Sequence, residues 1–404
     1  MHDYYILSGD CGGTNTRLQL IGLTTQNLST PSTTSSTPGT ILKTSTFLNE
    51  SYPSFTSILS EFLYSTPPVI SPLPNVAVLA AAGPVNDNKV LFTNNGWLIS
   101  GESILKTFGG SNGIKKAVLI NDFVGCGYGV LTVDKLKECV ILNDVKPVIG
   151  APIACVGAGT GLGECYLTSC GGEVESYECF ASEGGHAEFA PRTEVEFELI
   201  RHLKDKFKSR HRVSVERVVS GTGLANVYEF FSEKYKKERD ESVYEEFLKA
   251  GSMKGKVVSV NSGKCKCCEM SMKVFAGAYG SEVGVAGLKW IPRGGLYVTG
   301  GLTPKNIKWI EGDQSEFMQA FRDKGRVSEL LEEIPVYAVM VEDLGLRGSH
   351  RLAWKILKEE VAANGGRAGD TSASSIKKVL IAGVVLAGLA GVFGALNNGN
   401  RLRK

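Results

Sequence analysis

The residues with most chemical potential are a few carboxylates, amides and a histidine set among glycines: Asn121 and Asp122, Glu183 and His186, and Glu216. In 116–124, KAVLINDFV, the buried-strand run Val118, Leu119, Ile120 delivers Asn121 and Asp122 to a strand's carboxyl end. Open α/β sheets bind ligands at that end. A carboxylate placed there suits a general base that takes the proton of an attacking hydroxyl. An Asn-Asp pair after a strand is, taken alone, more often a turn or a helix cap. The surrounding glycine turns shift that balance.

The first turn is Gly9-Asp10-Cys11-Gly12-Gly13-Thr14-Asn15, after a strand expected over 4–7. Gly12 and Gly13 can take positive φ and present bare N–H groups that a concave nest can aim at phosphate oxygens. Thr14 adds a hydroxyl, and Asp10 suits a Mg²⁺ ion held through its water shell. Neither of the strand-to-helix phosphate motifs, GxGxxG or GxxxxGK[ST], is present in it. The second turn, GAGTGLG at 157–163, again follows a strand, and Gly159, Thr160 and Gly161 are its phosphate candidates. Two such turns about 150 residues apart imply two related halves gripping one nucleotide. A third, Gly300-Gly301, would let an adenine ring lie flat on backbone. Glu183-Gly184-Gly185-His186 offers acceptors and donors to a polyhydroxyl ligand, with glycines admitting a close ring. Glu216 alone reads as a solvated or capping carboxylate. Together these point to phosphoryl transfer from a nucleotide to a sugar hydroxyl.

The elements that must position them follow from length and patterning. A chain of 404 residues exceeds what one core usually supports, so an α/β fold in two lobes is expected. The expected lobes are 1–133 with 345–363, and 134–344, followed by a polar, Gly-rich linker at 364–376. Phe55, Ile58, Leu59, Phe62 and Leu63 mark an amphipathic helix, and helices are also expected over 271–290 and 349–360. Asn94 and Asn95 suit a loop or a sugar contact about equally, and the Ser/Thr/Pro tract at 29–40 reads as an exposed loop. With 44 basic against 42 acidic residues, no nucleic-acid footprint is present. The basic run 201–212 reads as a solvated helix face. Ten scattered cysteines read as reduced thiols, and Cys265, Cys267 and Cys268 lack the partner pair that a zinc site needs. No leader precedes the first strand, so a cytosolic protein is expected.

The segments GDCGGTNTR, NDF, GAGTGLG, EGGHAEFAPR, VERVVSGTGL and GGLYVTGG, extended by FRDKGRVSELLEEIPVY, occur in that order. In them the chain, over about 4–360, resembles the bacterial-type ATP-dependent glucokinase family. The resemblance implies two ribonuclease-H-like lobes of the actin-like ATPase fold, with sugar and MgATP in the cleft. It also implies glucose phosphorylation at the 6-hydroxyl. Asp122 matches the family's base, and Asn121, Asp122, Glu183, His186 and Glu216 its glucose positions. Gly9, Asp10, Cys11, Gly12, Gly13 and Thr14 match the first phosphate segment, with Asp10 near Mg²⁺. Gly159, Thr160 and Gly161 match the second, and Gly300 and Gly301 the adenosine segment. A related kinase and repressor family is a weaker match, because its cysteine motif would follow the Gly-His segment closely. A silent sugar sensor, a membrane scaffold and a hexose kinase of broader specificity are the alternatives.

One segment lies beyond the resemblance. Residues 379–396 form a run of 18 without a charge, flanked by Lys377-Lys378 and by Arg401, Arg403 and Lys404. As a helix it would span about 27 Å, near the thickness of a bilayer core. A C-terminal tail anchor at 377–404, holding the protein at a cytosol-facing organelle membrane, is therefore expected. Gly383, Ala387, Gly391 and Ala395 form a small-residue stripe along which two tails could pair as a homodimer.

Overall fold

The computed structural model describes residues 2–29, 37–65, 73–92, 95–171 and 174–365. Most of the Ser/Thr/Pro tract, Asn94, the apolar tail and the linker from residue 366 on lie outside the described residues, and the first two residues of the expected linker end a helix instead. Among the described residues no helix is long and apolar enough to cross a membrane. Residues 1–358 form one compact unit, and a second begins at Glu359.

The strands are β1 (Tyr4–Cys11), β2 (Asn15–Leu23), β3 (Thr40–Leu48), β4 (Val76–Ala81), β5 (Lys89–Phe92), β6 (Trp97–Ser100) and β7 (Lys116–Asn121) in the first part of the chain. They continue as β8 (Cys139–Asn143), β9 (Ile153–Ala158), β10 (Leu162–Ser169), β11 (Tyr177–Ser182), β12 (Gly295–Thr299) and β13 (Val336–Val339). One mixed sheet runs in the order β3-β2-β1-β4-β7, and another runs β11-β10-β9-β12-β13-β8. Each begins with an antiparallel meander whose first strand then pairs in parallel with later ones: β1 with β4, and β9 with β12. The tight turns of the two meanders, β1 to β2 and β9 to β10, therefore occupy equivalent places, and both are the glycine turns picked out by their composition.

Parallel strands buried on both faces read as continuous apolar runs, and β4 and β12 are buried at every position. The first sheet packs through Leu7, Leu18 and Leu79 against Ile58 and Phe62. The second packs through Val156 and Val298 against the helices α3 (Gly221–Lys234) and α4 (Lys266–Trp290), where Tyr228, Phe275 and Tyr279 are buried. Helix α4 starts five residues earlier than its periodicity indicates, directly after Cys265. Cys265, Cys267 and Cys268 are buried in that core, and among the described residues no group of three or more His, Cys, Asp or Glu is arranged to hold a metal.

The helix that carries the candidate base, α1 (Asp122–Val130), is pressed between backbone and sheet. Its Gly125 and Gly129 face the backbone of α5 (Leu344–Gly365), and Gly127 faces the sulfur atoms of Cys165 and Cys179. Side chains there would hold the helix away from both neighbours, so the position of Asp122 depends on three glycines spaced every second residue.

Candidate active site

A cavity of about 640 Å³ opens at the carboxyl ends of β4, β7 and β12 and at both meander turns. That is within the range of small-molecule sites. Gly12, Gly13 and Thr14 line it from the first turn and Gly159, Thr160 and Gly161 from the second. Asn121, Asp122, Glu183, His186, Glu216 and Gly300 complete the set that the sequence singles out.

Each polar group is held by local structure. Asn121 is the N-cap of α1: its side-chain oxygen accepts from the Phe123 N–H at 2.9 Å, and its amide donates to the Gly83 carbonyl at 3.1 Å. It is thus both a helix cap and a wall of the cavity. Asp122 follows as the first helical residue, and one of its carboxylate oxygens also accepts from the Phe123 N–H at 3.0 Å. Burial pushes Asp122 up to about 6, with the charges of Asp10 and Glu183 adding to the rise and the Phe123 N–H opposing it. A carboxylate so placed is poised near neutral pH, as proton transfer at that pH requires. His186 Nε2 lies 3.8 Å from Glu183 Oε2, both side chains more than half exposed to the cavity. Glu216 Oε2 accepts from the Leu162 N–H at 3.0 Å, which ties it to the start of β10 beside the second glycine turn.

The remaining candidates lie elsewhere. Strand β1 runs on to Cys11, so Gly9, Asp10 and Cys11 are strand residues and only 12–14 form the turn. Gly9 and Cys11 face inward, Cys11 fully buried, and neither lines the cavity. Gly12 and Gly13 do not use the positive φ open to glycine. Four residues, 12–15, link the last pair of the meander, Cys11 with Thr16, and the Gly12 N–H closes on the Asn15 carbonyl at 2.9 Å, a loop long enough to reverse without left-handed residues. Gly300 does need its lack of a side chain: its φ is +82°, and a Cβ would lie 2.3 Å from the Ala158 carbonyl oxygen. Gly301 stands off the cavity, beside Lys305 and Glu342.

Asp10, partly exposed at the end of β1, is not in the cavity lining, but it is near enough that its charge raises Asp122. Its own carboxyl is raised by burial, with Arg17 as countercharge, and among the described residues nothing donates it a hydrogen bond. A half-buried carboxylate short of donors beside a second carboxylate fits a hydrated divalent cation.

Sequence reasoning passed over Gly83, Pro84, Phe92, Phe123 and Ser182, all of which line the cavity. Phe123 explains two glycines of the second motif. A Cβ on Gly163 would come within 2.0 Å of its ring, and one on Gly157 within 2.8 Å. Those glycines make room for the ring beside the base, whereas Gly159 meets nothing within 4 Å and is open to a ligand. Gly83-Pro84 at the end of an apolar strand was a readable signal of another strand-end loop.

Beneath the 183–186 turn lies a second carboxyl pair. Glu164 on β10 is fully buried, and its Oε2 would lie 2.0 Å from a Cβ on Gly184. Burial raises Glu164, and the neighbouring Glu282 raises it further. Among the described residues neither Glu164 oxygen meets a hydrogen-bond donor, and burial raises Glu282 as well.

The family model described as Glucokinase matches residues 7–355. The chain belongs to the glucokinase family. It is 37% identical over 357 residues to the glucokinase of Synechocystis sp., covering 85% of this chain and 96% of that one. Among solved structures it is similar to glucokinase from an Antarctic psychrotroph, with 26% identity, a TM-score of 0.65, and 86% and 98% of the two chains covered. It also shares its fold with Balamuthia mandrillaris glucokinase, solved in complex with glucose, at 20% identity and a TM-score of 0.66, covering 87% and 93%. Like these glucokinases it is an α/β protein with mixed sheets.

Proposed function

We propose that the chain transfers the γ-phosphoryl group of MgATP to the 6-hydroxyl of glucose, giving glucose 6-phosphate, with Asp122 as general base. The observation that carries this reading is one cavity that joins the buried Asp122 carboxylate to both glycine turns and to Glu183, His186 and Glu216. Asp122 takes the proton of the 6-hydroxyl as its oxygen bonds to the γ-phosphorus. The bond from that phosphorus to the β,γ-bridging oxygen breaks in line and ADP leaves. Asn121, Glu183, His186 and Glu216 hold the sugar through its other hydroxyls, and the turns at 12–14 and 159–161 present N–H and hydroxyl donors to the phosphates. Asp10 would hold Mg²⁺ through its water shell, and that ion supplies neutralisation of phosphate charge. Gly300, with Gly301 behind it, borders the adenosine. The shared meander-plus-parallel order of the two sheets supports the actin-like reading with lobes 1–133 plus 345–363 and 134–344.

The test is formation of sugar 6-phosphate by the purified protein from glucose and MgATP. Its pH profile carries a further prediction. The base must be ionised, so kcat/KM for glucose falls as pH drops through about 6, the value to which burial lifts Asp122. An acid limb near the ordinary carboxylate range, below 5, would contradict Asp122 as the base.

The uncharged run at 379–396 supports a tail anchor at 377–404 facing the cytosol, and its small-residue stripe supports pairing of two tails. The full chain is expected to float with phospholipid vesicles in a density gradient, whereas a chain ending at residue 363 stays at the bottom. Equal sedimentation of the two removes the anchor.

A further inference from the structure

His186 belongs to two cavities. Besides the central one it borders a second, of about 360 Å³, lined also by Phe207, Ser209, Arg212, Ser214 and Arg217. That volume sits at the small end of the range for ligand sites, the size class of a monosaccharide derivative. Two guanidinium groups face it and no carboxylate is in its lining. The acid beside Arg212 is Glu188, whose Oε1 is 4.0 Å from Arg212 Nε on the exposed rim.

The cavity is built on ordered backbone. Phe189 N–H donates to the Val213 carbonyl at 2.8 Å and Val215 N–H to the Ala187 carbonyl at 2.9 Å, so 187–189 and 213–215 form a short antiparallel floor. The far wall turns through Lys208 at φ +50° and closes with Ser209 N–H on the Lys204 carbonyl at 2.9 Å and the Ser209 hydroxyl on the Arg212 carbonyl. Arg217 lies over the Phe207 ring, 4.0 Å from its centroid, which fixes the guanidinium plane. Among the described residues its guanidinium N–H groups find no hydrogen-bond acceptor, while its backbone N–H donates to the Ser214 carbonyl at 3.0 Å. Arg212 reaches the other way, donating from Nη1 to the His186 backbone carbonyl at 2.6 Å.

We propose that this cavity binds a phosphomonoester dianion of hexose-phosphate size, and that occupancy is transmitted through Arg212 to His186 in the central cavity. A guanidinium pairs with phosphate through parallel N–H donors, and Arg217, stacked and without a partner, presents that fork. Ser214 adds a hydroxyl. Drawing Arg212 onto the anion weakens its hold on the His186 carbonyl and shifts the imidazole beside Glu183. By linkage, the anion changes sugar affinity by the same factor that sugar changes anion affinity. The basic run at 201–212, which the central cavity does not use, supplies the positive field that draws the anion in. The link to sugar rests on the proposed function, and anion binding does not.

Calorimetric titration of the full chain with inorganic phosphate and with glucose 6-phosphate tests it. Binding is expected in the unaltered protein and in Asp122→Asn, and at least about tenfold weaker in Arg217→Gln, an exposed position whose loss leaves glucose turnover intact. Ser214→Glu, which sets a like charge in the cavity, weakens binding similarly and guards against an indirect effect of the first variant. Inorganic phosphate is further expected to shift KM for glucose to a limiting value, and not to do so in Arg217→Gln. No binding at millimolar anion, or equal binding in Arg217→Gln and the unaltered chain, overturns the proposal. Because calorimetry needs no turnover, either result stands whether or not the chain phosphorylates glucose.

Discussion

Asp122→Asn is expected to lower kcat/KM for glucose by at least about a hundredfold, the effect of removing a positioned general base, while making the protein more stable at pH 7 to 8. Asparagine keeps the side-chain oxygen that accepts from the Phe123 N–H, so the start of α1 is preserved. It loses only the ability to take a proton. The stability change follows from the folded value of about 6 against an ordinary 3.8, raised chiefly by burial. The native state therefore holds the proton more tightly than the unfolded chain does, and stability falls as pH rises from about 4 to about 6. The neutral asparagine escapes that cost. Its gain in melting temperature is complete above about pH 6 and vanishes below about pH 4, where the aspartate is neutral in both states. Thermal melts of the two proteins at pH 4 and pH 8, beside turnover, check both halves. A loss under tenfold with stability unchanged would mean that Asp122 neither transfers the proton nor pays for its burial.

Gly348→Ala is expected to cost at least about 3 kcal/mol, at or beyond the upper end for overpacking a core, and to lower activity with it. A Cβ there would stand 1.7 Å from the Gly125 carbonyl oxygen and 2.7 Å from the Gly129 nitrogen. Both are backbone atoms of α1, so no rotamer change relieves the clash and the two helices must separate. On the opposite face, a Cβ at Gly127 would be 2.4 Å from the Cys179 sulfur, so α1 has no free space into which to retreat. Displacing α1 moves Asp122 relative to the phosphate turns, and small misplacements of reacting groups are costly. Gly263→Ala is the control: its Cβ would meet nothing within 4 Å, and a change within about 0.5 kcal/mol is expected. Chemical denaturation of the two variants, with kcat/KM for glucose, separates the outcomes. Equal stability of both would show that the contact between α1 and α5 is not close.

The sequence by itself determined the parts set by near neighbours. Apolar runs ending in glycine turns, at 4–14 and 152–161, became the two meander corners, because strand burial and turn chemistry are decided within a few residues. Asn121 and Asp122 stood at the end of a strand for the same reason. Tertiary structure alone decided what those corners face. Asp10 is spaced like a cavity residue, yet pairing of β1 up to Cys11 makes it a strand residue outside the lining. Gly157 and Gly163 belong to a phosphate-like motif, but the ring of Phe123 forbids a side chain at Gly163, and that ring together with Thr299 forbids one at Gly157. The alternate glycines of α1 carried no local signal, since the atoms they make room for lie on Cys165 and Cys179, tens of residues away, and on Leu344 and Gly345, more than 200 residues away. Arg212 reads as one of several basic residues until folding sets it on the His186 carbonyl. Periodicity records which face of an element is buried, while the identity of what covers that face is fixed only when distant segments pack to contact.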